Sequence, residues 1–128
     1  MNAPFAGLAR NGFVHVTVAF LAMGSWAAFA NRGHPMPAPL QAGLIQGAIS
    51  ASITLILKRA VDALARRFQG IAALVVPPAA AGLVSASLLT AIHTIAGTPE
   101  VVATIALPLT VATSYAAVYN FTFWRSGR

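Results

Sequence analysis

Four long apolar stretches, separated by short polar or proline-rich segments, run along the chain and predict an all-α membrane protein. They cover residues 12–30, 40–57, 71–96 and 101–124. A helix needs about 20 consecutive apolar residues to cross the hydrocarbon core of a bilayer, and these stretches are near or above that length. We therefore expect a single domain, residues 1–128, with four transmembrane helices arranged as two helical hairpins.

The second helix is expected to continue past its apolar stretch as a basic amphipathic extension. Its apolar positions share one helical face: Leu57, Val61, Leu64 and Phe68. Asp62 and Arg66 are spaced for an ion pair one turn apart, and Gly70 is expected to end the helix. A helix from Leu40 to Phe68 would be about 43 Å long, whereas the hydrocarbon core is about 30 Å thick, so its last turns must leave the bilayer or bend along its surface.

Two helix starts carry further expectations. Before the fourth helix, Thr98 suits the N-cap, Pro99 the first helical position and Glu100 the first turn. The first stretch has a second interpretation, because Arg10, an apolar run and the sequence Ala28-Phe29-Ala30 also fit a signal peptide with its cleavage site. The run is longer than the usual core of a signal peptide, so we favour a transmembrane helix.

Composition and charge support a membrane location and indicate an orientation. Hydrophobic residues make up 58% of the chain and charged residues 8%, against about 25% charged in a soluble domain. With four spans, seven of the eight Lys and Arg residues fall on one side and only Arg32 on the other. Because cytoplasmic segments carry the excess of basic residues, we expect an inner-membrane protein with both termini in the cytoplasm.

The basic residues also indicate a partner. Four of them lie where the second helix leaves the bilayer: Lys58, Arg59, Arg66 and Arg67. Basic residues in this position attract anionic lipid headgroups on the cytoplasmic side. The alternative is that they only set the topology during insertion. Nucleic acid is not expected as a partner, because its binding calls for a basic stripe on a soluble fold.

A stripe of small residues on the second helix is suited to close helix packing: Gly43, Gly47 and Ala51. One interpretation is an interface with a second copy of the chain or with another membrane protein. The other, which we favour, is packing against a helix of the same chain. Leu57, further along the helix, is taken as an exposed position for comparison.

Polar residues within the apolar stretches either line a path across the membrane or join helices. The candidate path consists of Gln46, Ser85 and His93. Hydrogen bonding between helices is the simpler interpretation and the one we favour. Pro77 and Pro78 kink or interrupt the third helix, as in the broken helices that line transporter sites. Alternatively, neighbouring groups satisfy the carbonyls that the prolines leave without a donor, and Ser85, Ser87 and Thr90 are the candidates.

Candidate chemistry is sparse. His34, His93 and Glu100 belong to one end of the predicted bundle, where they would be placed to ligate zinc or relay a proton. Their spacing matches no standard metal-binding pattern, so we expect no metal, and nothing points to a cofactor. The chain contains no Gly-rich phosphate loop, nucleophile elbow or HExxH motif, and its two acidic residues give little basis for acid–base catalysis. We do not expect an enzyme.

The chain ends in YNFTFWR over residues 119–125, which resembles the Asn-Phe…Arg ending of GtrA-like four-helix proteins, thought to help move lipid-linked sugars. The resemblance covers seven residues, and most of that family's pattern is absent, so membership is not inferred. From the residues we infer a small non-enzymatic membrane protein that assembles by helix packing, as an accessory subunit or lipid-associated scaffold. The alternative is a small transporter or flippase for a lipid-linked or small polar substrate.

Overall fold

The computed structural model describes the backbone of residues 3–127 and the side chains of residues 12–127. Within that range the chain forms four helices: α1 (Ala3–Ala30), α2 (Ala38–Ala65), α3 (Gly70–Ala96) and α4 (Val101–Arg125). All four are long and apolar enough to cross a membrane. The prediction of an all-α bundle of four transmembrane helices, with a basic extension of the second, is therefore confirmed.

The helices pair as two antiparallel hairpins, α1 with α2 and α3 with α4. α2 contacts each of the other three helices, whereas α1 and α3 do not contact each other within the described residues. The bundle has two ends. We call the end with residues 31–37 and 97–100 the turn end, and the end with residues 58–70 and 119–127 the basic end.

Glycine lets α1 and α2 approach each other closely. A methyl group added at Gly24 would lie 2.8 Å from the backbone oxygen of Gly43, and one added at Gly47 would lie 3.0 Å from the Phe20 ring. Such distances leave no room for a side chain, so the backbones themselves form the contact. The structure thus places Gly43 and Gly47 of the small-residue stripe against α1 of the same chain, with Ala51 half-buried one turn further on.

The apolar core is small and lies toward the basic end. Leu57 and Val61 on α2 pack with Ala116 on α4, and no more than 8% of any of these three residues is exposed. The expectation that Leu57 is exposed is wrong, because the extension of α2 packs against α4 instead of standing clear of the bundle. Large apolar side chains instead cover the outside, as at Ile95 and Val102, which suits a lipid environment.

Two predicted helix boundaries need correction. α2 ends at Ala65 rather than Phe68, since residues 66–69 are needed to turn the chain, and Gly70 begins α3 with a φ of +62° instead of ending α2. α4 begins at Val101, so Thr98 is not its N-cap.

The start of α4 is held by the other hairpin. The Glu100 backbone N–H donates to Asn31 Oδ1 at 3.0 Å, and the Thr98 hydroxyl is bonded to His93 instead of capping the helix. The side chain of Asn31, the residue that follows α1, therefore accepts the backbone N–H of the residue that precedes α4, and no side chain caps the helix as local sequence predicted for Thr98.

Candidate functional site

A chain of buried hydrogen bonds joins α3 to α2 near the turn end. His93 is fully buried, with Nε2 2.8 Å from Gln46 Oε1 and Nδ1 2.8 Å from Thr98 Oγ1. The Gln46 amide nitrogen in turn donates to Ser50 Oγ at 2.8 Å. Because an amide oxygen only accepts, Nε2 of His93 must carry a proton, and in the neutral ring Nδ1 then accepts from the Thr98 hydroxyl. The hydrogen bonds thus run in one direction: Thr98 donates to His93, His93 donates to Gln46, and Gln46 donates to Ser50.

A second buried network joins α1 to α4. Asn31 is fully buried, and its Nδ2 donates to Ala27 O at 2.8 Å and to Thr104 Oγ1 at 2.7 Å. Its Oδ1 accepts the Glu100 backbone N–H. On the exposed surface of the bundle, His34 Nε2 lies 2.8 Å from Glu100 Oε2. This contact joins the turn between α1 and α2 to the turn between α3 and α4.

The two networks link the hairpins crosswise, α3 to α2 through His93 and α4 to α1 through Asn31. Among the described side chains, no buried nitrogen or oxygen atom lacks a hydrogen-bond partner. In a membrane each such interhelical bond contributes about 0.6–1.7 kcal/mol, and an unpaired polar group would favour a rearranged bundle. The polar interior at the turn end therefore sets how one hairpin docks on the other.

The candidate path residues are only partly brought together. Gln46 and His93 are bonded to each other inside packed protein, whereas Ser85 is buried about two turns away along α3 and is bonded to neither. Depressions of about 590 Å³ and 200 Å³ lie on the outer face of α3 and along the α1–α2 contact. Neither is lined by a residue of the candidate path.

The three candidate zinc ligands do not form one cluster. His34 and Glu100 meet at the surface, but both ring nitrogens of His93 are engaged by Thr98 and Gln46 inside the bundle. No group of three or more potential ligands occurs among residues 12–127. The separation follows from the orientation of α3, which turns His93 toward α2 and away from the surface.

The carbonyls freed by the prolines of α3 are satisfied from α4. Pro77 and Pro78 have no N–H to donate to Ala73 O and Leu74 O, one turn earlier. The side-chain nitrogen of Asn120 donates to these two oxygens, at 2.8 and 2.9 Å, and Asn120 is fully buried. One side-chain amide on α4 thus donates to both carbonyls that the prolines leave without a backbone donor.

Sequence reasoning assigned that role to Ser85, Ser87 and Thr90 and missed Asn120. Ser87 instead donates to the carbonyl of Leu83 in its own helix. The three candidates follow the prolines along α3, whereas the freed carbonyls precede them and face α4. An amide in an otherwise apolar helix was the signal that could have identified Asn120.

At the basic end, Asp62 has a different partner from the predicted one. Its Oδ2 accepts a hydrogen bond of 2.8 Å from the Tyr119 hydroxyl on α4, and the one ion pair found among the described residues is His34 with Glu100. The predicted pair of Asp62 with Arg66 is not among the ion pairs found between described residues. The four predicted headgroup residues are all exposed: Lys58, Arg59, Arg66 and Arg67.

Comparison of the chain with protein-family models, with curated proteins and with solved structures finds no match. What its own residues establish is the class: four apolar helices of membrane-spanning length point to a small multi-pass membrane protein. Its specific role must be inferred from the packing and chemistry described above.

Proposed function

We propose that this protein is a non-enzymatic accessory subunit or lipid-associated scaffold of the inner membrane, assembling by helix packing. The proposal depends on one observation: every buried polar side-chain group of the described residues is hydrogen-bonded within the bundle. Gln46, His93 and Thr98 bond one another, and Asn31 bonds Thr104. A protein that moves polar substrates needs such groups free to replace the substrate's water, and here they join helices instead.

The same contacts favour a scaffold over an enzyme. His93 is the buried ionisable side chain of the described bundle, and both of its ring nitrogens are engaged by neighbours. A general acid or base must reach a reacting group, and His93 has no nitrogen left for one. The alternative function, a small transporter or flippase, would require the hairpins to separate and break these bonds.

The outer face of α3 supports assembly with another membrane helix. Small and hydroxyl-bearing side chains line the depression there, including Ser87, Thr90, Ala91 and Thr94. Small residues let a second backbone approach closely where lipid gives no hydrophobic driving force. The assembled form should therefore be larger than one chain in mild detergent, and a complex of single-chain mass would count against the accessory role.

The proposed orientation places both termini and the basic end in the cytoplasm. Lys58, Arg59, Arg66, Arg67 and Arg125 lie at the basic end, against Arg32 at the turn end. This distribution follows the rule that cytoplasmic segments hold the excess of Lys and Arg.

One set of single-cysteine variants tests both the closed interior and the orientation. The chain contains no cysteine, so each variant has a single thiol. Ser85→Cys and Ser50→Cys report on the interior, Gly33→Cys on the turn end and Ser126→Cys on the basic end. A membrane-impermeant maleimide applied to intact cells should label Gly33→Cys alone. Opening the cytoplasmic side should add Ser126→Cys, and only unfolding in detergent should add the two interior positions.

The labelling pattern distinguishes a closed interior from a wet path, and one orientation of the chain from the other. Labelling of Ser85→Cys or Ser50→Cys in intact membranes would reveal a wet path and favour the transporter. Labelling of Ser126→Cys from outside the cell would reverse the orientation. Ser85 and Ser50 are buried and small, so a thiol in either place alters the packing little.

A further inference from the structure

Two hydroxyl groups on the outer face of α3 have no hydrogen-bond partner within the part of the chain that the structure describes. They belong to Thr90 and Thr94, which are exposed, lie one helical turn apart and line the depression on that face. The other exposed threonines of the described helices each donate to a carbonyl of their own helix: Thr54, Thr110 and Thr122. Because an unpaired hydroxyl in hydrocarbon is unfavourable, Thr90 and Thr94 are suited to a partner outside the chain.

The shape of this face suits a crossing helix. Small side chains line the middle of the depression, which has a volume of about 590 Å³: Ala86, Ser87 and Ala91. Leu83 and Ile95, before and after them on α3, are large and are 71% and 86% exposed. Two helices that cross need small side chains at the crossing point and have room for larger ones where they diverge. The outer face of α3 therefore fits a helix that crosses it near Thr90.

The hydroxyl groups decide which partner fits, because small side chains permit a close approach by any helix. A hydroxyl is both a donor and an acceptor, so the same hydroxyl on a second copy of the chain is its complement. Copies inserted in the same orientation hold identical residues at the same depth in the bilayer. A two-fold axis along the membrane normal then places Thr90 and Thr94 opposite their own counterparts. An acyl chain fills the depression but offers no group that bonds a hydroxyl.

We propose that the outer face of α3 is a homodimer interface in which two parallel α3 helices cross near Thr90. Thr90 and Thr94 of each copy hydrogen-bond their counterparts across the two-fold axis. The bond between His93 and Gln46 stays within each copy, so the hairpins need not separate for the dimer to form. The inference rests on the assembly through α3 given in the proposed function, and it names the partner as a second copy.

Cysteine cross-linking in native membranes tests where the copies meet, since the chain itself contains no cysteine. Full-length Thr90→Cys and Ser114→Cys variants are oxidised with copper phenanthroline. Ser114 is exposed on α4 and is the control position. Thr90→Cys should give a product of twice the single-chain mass, whereas Ser114→Cys should remain a single chain. Equal cross-linking of the two variants would mean random collision and overturn the interface.

Removing the hydroxyl groups tests why the copies pair. Thr90→Val combined with Thr94→Val keeps the shape of both side chains and removes both hydroxyls. Dimerisation is measured by energy transfer between full-length chains labelled at the C-terminus, in vesicles of phosphatidylcholine. The dissociation constant of the double variant should rise about tenfold, because two interhelical hydrogen bonds are lost.

Thr110→Val is the matched control for this measurement. It removes an exposed hydroxyl that is bonded to its own helix, so it should leave the dissociation constant unchanged. A dissociation constant that is equally unchanged in the Thr90 and Thr94 double variant would overturn the role given to the two hydroxyls.

The outcomes separate this inference from the proposed function. A complex larger than one chain, without a cross-linked dimer of Thr90→Cys, would overturn the second copy as the partner and leave the accessory role intact. A cross-linked dimer whose Ser85→Cys interior is labelled in intact membranes would support the interface and count against the closed scaffold.

Discussion

The two hydrogen bonds from Asn120 on α4 to carbonyls of α3 give the sharpest test of the helix packing. Substituting Asn120 with Ala removes the one amide that donates to both Ala73 O and Leu74 O. Pro77 and Pro78 cannot supply replacement donors, and Asn120 itself is fully buried. The substitution therefore leaves two carbonyls unsatisfied in the interior of the bundle.

The expected cost follows from the two lost bonds. Interhelical hydrogen bonds in membranes contribute about 0.6–1.7 kcal/mol each, and an unsatisfied buried group in a soluble protein costs about 1–3 kcal/mol. With two carbonyls affected, we expect Asn120→Ala to lower the free energy of unfolding by about 2–4 kcal/mol. Ser114→Ala, at an exposed position on the same helix, should change it by less than about 0.5 kcal/mol.

A double-mutant cycle isolates the proline-specific part of this cost. Unfolding is followed by circular dichroism as the fraction of a denaturing detergent in mixed micelles is raised. Asn120→Ala is made in the wild type and in a variant with Pro77→Ala and Pro78→Ala, whose restored N–H groups can donate to the same two carbonyls. The loss should be at least about 1 kcal/mol smaller in the second background, which is the coupling expected of groups that share partners.

Equal losses in the two backgrounds would refute the reasoning. They would mean that Asn120 stabilises the bundle through contacts unrelated to the freed carbonyls. Any other interaction of Asn120 contributes equally in the wild type and in the proline-free background. It therefore cancels, and the difference between the two losses reports only on the hydrogen bonds from Asn120 to the two carbonyls.

Two further substitutions test the rest of the bundle in the same unfolding assay. Gly47→Leu should destabilise by about 1–3 kcal/mol, because its side chain would overlap Phe20, while Ala48→Leu on the exposed side should have little effect; similar losses would show that the α1–α2 contact is loose. His93→Phe should cost about 1–3 kcal/mol, since it leaves the Gln46 amide oxygen without a donor, and adding Gln46→Leu should recover part of that loss. A double variant less stable than His93→Phe would contradict the assigned hydrogen bond.

The sequence by itself determined the helices, because the signal for a membrane span is local. Each span needs about 20 apolar residues in succession, and no distant contact can supply or remove them. The basic extension of α2 was predictable for the same reason, from the period at which Leu57 and Val61 recur. The polar residues that matter inside the bundle, Gln46 and His93, also stood out in their apolar surroundings.

Only the tertiary structure decided which partner each of these residues has. Local spacing paired Asp62 with Arg66, but α4 brought the Tyr119 hydroxyl to Asp62. Thr98 was expected to cap α4 and is instead bonded to His93 of the preceding helix, whose other ring nitrogen is bonded to Gln46 on α2. The carbonyls freed by the prolines likewise found Asn120, far away in sequence. The physical reason is that a polar group in a bundle needs a partner of complementary chemistry within about 3 Å, and helix rotation and register decide which one that is.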